Sequence, residues 1–185
     1  ETLTRLGGDS NDLHPLDDLG DGTDLNQLFV QYANPDLGTY KFGRQIYTLD
    51  DHRFIGHVGW RQNIQTFDAA TAKLTVADGV TVNGFYLDAQ NAVNGSHNNL
   101  DSIGINISWA ATEWLTVTGF GYKIEGQDLA AQSNNTFGLR ATGSRTYDEM
   151  TYKYALSYAT QTDNNGSPMG LDYDADYVAA DFSGE

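Results

Sequence analysis

The sequence of 185 residues contains no cysteine. That excludes a disulfide framework and any thiolate metal site. Basic residues are scarce: 10 Lys and Arg stand against 25 Asp and Glu, a formal net charge of −15. A phosphate backbone has to be met by a basic surface, so nucleic acid is excluded as a partner. Long apolar runs are also missing. None approaches the roughly 20 residues a spanning helix needs, and a mean hydropathy of −0.47 excludes a helical membrane protein. It does not exclude a membrane β-barrel, in which lipid-facing and lumen-facing residues alternate and the average looks polar. The opening Glu1-Thr2-Leu3-Thr4-Arg5 has no apolar stretch of signal-peptide type. The sequence is therefore expected to be a mature form or an internal piece.

What is present is alternation. Leu28, Val30 and Tyr32 alternate with Gln27, Phe29 and Gln31, and Ala70, Ala72, Leu74 and Val76 with Thr71, Lys73 and Thr75. The cleanest case sets Ile103, Ile105, Ile107 and Trp109 against Ser102, Gly104, Asn106 and Ser108. Later, Phe137, Leu139 and Ala141 oppose Thr136, Arg140 and Thr142; Tyr152, Tyr154, Leu156 and Tyr158 oppose Lys153 and Ser157; and Tyr173, Ala175 and Tyr177 oppose Asp174 and Asp176. Period two of this kind specifies half-buried strands, about nine in all. Residues 1–8 add at most a strand end, and 9–24 read as an acidic, Asp-rich surface loop. Clustered Asp can bind calcium, but the spacing does not fit an EF-hand loop. A solvated loop is preferred, with calcium kept as an alternative partner.

The connections sort by length. Short turns fall at 34–38, 78–79, 110–113 and 144–148; long ones at 49–65, 90–100, 126–134 and 162–171. Every second connection of an up-and-down sheet lies on the same rim, so short turns collect on one rim and long loops on the other, the pattern of outer-membrane barrels. Strands of about 9 to 13 residues match a tilted bilayer crossing. Aromatics near the strand ends fit two girdles: Tyr32, Trp109 and Trp114 by short turns, and Phe67, Tyr86, Tyr122 and Tyr173 nearer long loops. The expected fold is an all-β, antiparallel up-and-down transmembrane β-barrel. An odd strand count and open edges, which lipid does not permit, point to an incomplete part of a larger barrel, unless residues 1–8 complete a small one.

Catalytic chemistry has little support. His14, His52, His57 and His97 all fall in long loops, no HExxH or Gly-x-Ser-x-Gly motif exists, and nothing implies a cofactor. No enzyme is expected. For a pore, the charged residues that alternate inward matter most. These are Lys41, Lys73, Lys123, Arg140, Lys153, Asp174 and Asp176, because a Lys or Arg facing lipid at the midplane costs about 2–4 kcal/mol. Strict alternation puts Arg44 with Phe42 and Ile46; a bulge seated at Gly43 is expected to turn it inward.

The stretch 39–69 stands apart. It starts as a strand, turns polar at Leu49, and returns near Phe67 without a helical period or cap. A long insert between strands is more often functional than decorative. If it folds into the pore, Arg53, Arg61, Gln62 and Asn63 line a constriction while Phe54, Ile55 and Trp60 pack it to the wall.

Gly43-Arg44-Gln45, Leu49-Asp50-Asp51, Arg53-Phe54-Ile55-Gly56, Val58-Gly59-Trp60-Arg61-Gln62-Asn63 and Gln65-Thr66-Phe67-Asp68-Ala69 resemble the signature block of the alginate-export family. Asn26-Gln27, Phe29 and Tyr32 extend the resemblance upstream. Its members are bacterial outer-membrane β-barrel porins with considerably longer chains. The resemblance implies passive diffusion of an anionic polysaccharide or related small solute, with outer-membrane lipid and lipopolysaccharide as surroundings. The alternative is a soluble or surface-exposed carbohydrate-binding β-protein. The discriminator is Ile103, Ile105 and Ile107, which a porin leaves on its outside and a soluble protein buries.

Overall fold

The computed structural model describes residues 2–5, 22–60, 63–128, 133–164 and 174–185. Nine strands form one antiparallel up-and-down sheet. They follow a separate two-stranded hairpin, β1 (Thr2–Arg5) with β2 (Gly22–Leu25). The second of these falls where a loop is expected; the rest of 9–24 lies outside the described residues. The sheet runs β3 (Leu28–Asn34), β4 (Gly38–Gln45), β5 (Thr66–Ala77), β6 (Val80–Asn91), β7 (His97–Thr112), β8 (Leu115–Ile124), β9 (Asn134–Tyr147), β10 (Met150–Asp163) and β11 (Asp174–Gly184). Each strand pairs with its neighbours in sequence, leaving β3 and β11 at the edges. Among the described residues no helix is long and apolar enough to cross a membrane.

Turn chemistry fixes the short rim. Asn34 Oδ1 accepts from the backbone N–H groups of Asp36 (2.8 Å) and Leu37 (3.0 Å), and Gly38 takes φ +100°. Gly79 (φ +68°) closes the β5–β6 hairpin. Asp148 and Glu149, at φ 49° and 69°, make the β9–β10 turn. Such left-handed pairs match the right-handed twist of a hairpin.

The two faces of the sheet differ completely. One face, here the inner one, carries the core: Phe67, Phe85, Leu87, Leu100, Phe120 and Tyr122 pack with Leu49 and Ile55 of the segment 46–65. The other, outer face leaves Ile103, Ile105 and Ile107 exposed by 54, 47 and 41 %. The isoleucines lie outside, as a porin requires and a soluble sheet does not.

Register corrects several expectations. Phe67 and Tyr122 are not girdle residues; they face inward and are 4 and 2 % exposed beneath the insert. Tyr173 lies outside the described residues. On β11, Val178 pairs with Tyr158 and Phe182 with Tyr154, so the outer face is Asp174, Asp176, Val178, Ala180 and Phe182. Ala175, Tyr177 and Ala179 face inward. Tyr and Ala were the wrong guide to that strand; its apolar outer half is Val178 to Phe182, which the acidic start conceals.

Candidate functional site

The segment 46–65 leaves the sheet at the end of β4 and folds back over the inner face. The departure comes earlier than the expected 49. Ile46 N–H bonds Gln27 Oε1 (3.3 Å) instead of a neighbouring strand. Gln45, 1 % exposed, is held by Thr71 Oγ1 (3.0 Å) and donates to the Ala69 carbonyl (3.2 Å). The insert then closes a tight loop: Leu49 N–H donates to Ile55 O (3.0 Å) and His52 N–H to Leu49 O (2.9 Å). Asp50 (φ 51°) and His52 (φ 62°) take left-handed backbone to do so. A side chain at Gly56 would come within 2.5 Å of His52 O, so only glycine fits under this turn. The return arm is tied by Gln65, whose N–H bonds His57 O (2.9 Å) and whose side chain donates to Gly56 O (2.8 Å).

Apolar anchors seat the insert. Leu49 and Ile55 are buried, and the Phe54 ring lies 5.5 Å from Phe120 and 5.7 Å, edge-on, from Tyr177. Tyr47 packs edge-on against Phe85 at 5.7 Å. Aromatic pairs at these separations add to the area they bury.

Polar contacts then fix its register on the wall. Asn106, buried on β7, donates to Asp50 Oδ2 (2.7 Å) and to the Tyr122 hydroxyl (3.1 Å). Arg140 Nη1, on β9, meets Asp51 Oδ2 at 2.7 Å and donates to Ser157 Oγ at 2.8 Å. The Arg53 guanidinium sits 5.1 Å above the Tyr177 ring. Burial holds the Asp50 carboxyl above its ordinary value, opposed by the Asn106 hydrogen bond and the Arg140 charge. Burial, with the Asp50 charge second, pushes the Tyr47 hydroxyl up. Beside the first arm lies an open cavity of about 390 Å³, lined by Gln31, Lys41, Gln45, Tyr47, Lys73 and Asn83.

Four of the expected inward charges occupy the inner face: Lys41, Lys73, Arg140 and Lys153. Lys41 Nζ lies 4.6 Å over the Phe29 ring, and Lys153 pairs with Glu185. On the strands β3 to β9 themselves the inward-facing charged side chains among the described residues are Lys41, Lys73 and Arg140, and the insert brings Asp50, Asp51 and Arg53 to the same side. Arg61 and Gln62 lie outside the described residues, and Asn63 donates to Val93 O (3.0 Å).

Four others are corrected. Arg44 does not turn inward, although Gly43 takes φ +118°; it pairs across the sheet with Asp68, keeps the face of Phe42, and holds that carboxylate at 2.7 Å. Lys123 lies opposite Ile103 on the outer face and pairs with Glu125 at 2.8 Å. Asp174 and Asp176 are also outer, and Asp176 accepts from the Tyr158 hydroxyl at 2.8 Å. All four stand at strand ends on the long-loop rim. There the cost of an outward charge falls to about 0–1 kcal/mol, so alternation no longer forces it inward. Asp88 and Asp101 are also exposed at this rim, and the short turns carry acids of their own at Asp36, Asp78, Glu113, Asp148 and Glu149. The net negative charge of the chain thus spares the inner wall of β3–β9. Sequence reasoning missed Asn106 and Tyr177 as partners of the insert, and Ser157 as the partner of Arg140. Only Asn106 gave a signal, as a lone amide in the middle of the strongest alternating strand.

A model of the alginate-export family matches residues 5–178. No curated protein matches the chain by sequence. Among solved structures it is similar to Pseudomonas aeruginosa OccD3 (OpdP), at a TM-score of 0.71 and 14 % identity over 90 % of this chain and 41 % of that one. It is also similar to Pseudomonas aeruginosa OccK2 (OpdF), solved in complex with glucuronate: TM-score 0.68, 16 % identity, 80 % of this chain and 41 % of that one. A BenF-like porin from Pseudomonas fluorescens Pf-5 gives 0.67 and 14 % over 80 % and 39 %. The chain spans about two fifths of the length of these proteins. Likeness at such identities is one of fold: the nine-stranded sheet is built as the wall of an outer-membrane β-barrel.

Proposed function

The chain belongs to the alginate-export family and to the bacterial outer membrane, and on that premise we propose that it forms a channel for passive diffusion of small or anionic solutes such as (oligo)saccharides. One observation carries the reading. An insert lies over the inner face of the sheet, and the strand charges it faces from β3 to β9 are Lys41, Lys73 and Arg140. Inward cations select permeants by sign, and a cavity lined by Lys41, Lys73, Gln31, Gln45 and Asn83 offers charge for a carboxylate and amides for hydroxyl groups. The glucuronate bound by OccK2 is a solute of this chemistry. The insert narrows the lumen, with Arg53 and Arg140 at the narrowing. The chain works by diffusion and not by catalysis. Its surroundings are lipid at the Ile103–Ile105–Ile107 band and lipopolysaccharide at the acidic long-loop rim, with divalent cations between them.

Planar-bilayer recording tests this. Reconstituted protein is expected to give stable single-channel currents with anion preference. The double variant Lys41→Gln/Lys73→Gln is expected to lose most of that preference at nearly unchanged conductance. Absence of conductance, or a cation preference untouched by the double variant, overturns the proposal.

A further inference from the structure

Asp51 meets the inner wall through a single oxygen. Its Oδ2 lies 2.7 Å from Arg140 Nη1, and Oδ1 is engaged with the backbone N–H of Arg53 (3.3 Å). Arg140 gives that same Nη1 to Ser157 Oγ; among the described residues its Nε and Nη2 make no hydrogen bond. A guanidinium binds a carboxylate most strongly through two parallel N–H···O bonds. The pair seen here is therefore incomplete on the arginine side. The arginine is well placed to complete it: Ser157 fixes the guanidinium, its side chain is 14 % exposed, and that of Asp51 is 32 % exposed.

The backbone agrees with a contact that can be given up. Asp51 is presented between Asp50 and His52, both in the left-handed region that L side chains rarely adopt. Strain of that kind persists only when the surroundings enforce it, and it gathers at ligand clamps. The insert does not depend on Asp51 for its seat, which Leu49, Phe54 and Ile55 provide from the core. Asp50 cannot simply take its place, because Asn106 already holds it at 2.7 Å.

We propose that Asp51 is a tethered competitor for the permeant: its carboxylate occupies the Arg140 guanidinium that a passing carboxylate would bind in bidentate fashion, and so keeps the channel's affinity for acidic sugars low. The inference rests on the channel reading above. It explains why the insert sets an acid directly against the one guanidinium that strands β3 to β9 carry on their inner face among the described residues. A bare, partly buried guanidinium would hold an acidic solute, whereas conduction requires binding weak enough to leave.

The test is a cycle of wild type, Asp51→Asn, Arg140→Gln and the double variant. Equilibrium binding of glucuronate to the detergent-purified protein is the primary readout, and block of single-channel current by glucuronate is the second. Asp51→Asn is expected to tighten glucuronate by about threefold to fivefold, the upper scale of a solvent-accessible ion pair, and to leave binding of neutral glucose unchanged. Arg140→Gln is expected to weaken glucuronate, and adding Asp51→Asn to it should change nothing. Unchanged or weaker binding by Asp51→Asn, an equal gain for glucose, or the same gain in the Arg140→Gln background overturns the proposal. A conducting wild type with an additive cycle sinks this inference alone. A protein that neither conducts nor binds glucuronate sinks the channel reading and this inference together.

Discussion

Leu87 and Ile105 are aliphatic side chains on neighbouring strands of one sheet, yet the first is 1 % exposed and the second 47 %. The difference is one of face. Leu87 looks inward, where the insert covers it, and Ile105 looks outward with Ile103, Ile107, Leu139 and Leu156, all exposed. In water such an outer face would be a large unfavourable surface. In lipid it is the solvated face, and the inner face becomes the one that has to be filled or wetted. The inner side uses both solutions. Aromatics and the insert fill the long-loop half, and Lys41, Lys73, Asn83 and Thr39 line the open cavity beside them. An aliphatic side chain therefore means packing on one face of this sheet and membrane on the other.

The largest expected effect tests the filled half. Ile55→Ala removes a buried anchor of the insert and should destabilise its seat by about 2–5 kcal/mol. Single-channel records should then show added open-state noise and a larger mean conductance. A quiet, unchanged channel would mean that the insert is not seated by its core. Next, Ile105→Lys places a charge on the outer face and should cost about 2–4 kcal/mol of folding into bilayers. The inner-face change Ser108→Lys on the same strand should cost much less. Urea titration in lipid vesicles compares the two, and equal costs would erase the distinction between the faces. Asn106→Ala is smaller, about 1–3 kcal/mol, because it strands the Asp50 carboxylate and the Tyr122 hydroxyl that Asn106 serves. Its effect should shrink in an Asp50→Ala background, which a double-mutant cycle reads.

The smallest effect is with pH. Burial raises the Asp50 carboxyl, so the folded form holds its proton more tightly than the unfolded chain does. The stabilising contribution is fully present below the ordinary carboxylate value and is lost as pH rises through the raised one. Thermal unfolding across that window should show the insert slightly firmer on the acid side. Asp50→Asn should flatten the dependence.

Much of this architecture was legible in the chain. The β5 limits, 66–77, were readable from alternation and from Asp78-Gly79, and the isoleucine ladder of β7 announced its faces. Loop lengths separated the two rims. Legibility failed where the physics relaxes. At the long-loop rim the outer face is wet, so Arg44, Lys123, Asp174 and Asp176 stand outward without penalty and mimic lumen residues in sequence. Beneath the insert the inner face is dry, so Phe67, Tyr122 and Tyr177 point inward and mimic a lipid girdle. The contacts that seat the insert were beyond any local pattern: Asp50 meets a residue 56 positions away and Asp51 one 89 away.

The central claim is that Ile107 meets lipid while its neighbour Ser108 meets the aqueous lumen. Because the chain has no cysteine of its own, Ile107→Cys and Ser108→Cys give single-site probes without background. In reconstituted vesicles the account predicts that Ser108→Cys reacts quickly with a small charged methanethiosulfonate and lowers conductance. It also predicts that Ile107→Cys resists the reagent and, once spin-labelled, is relaxed by lipid-phase oxygen. Fast aqueous labelling of Ile107→Cys with a protected Ser108→Cys would contradict it.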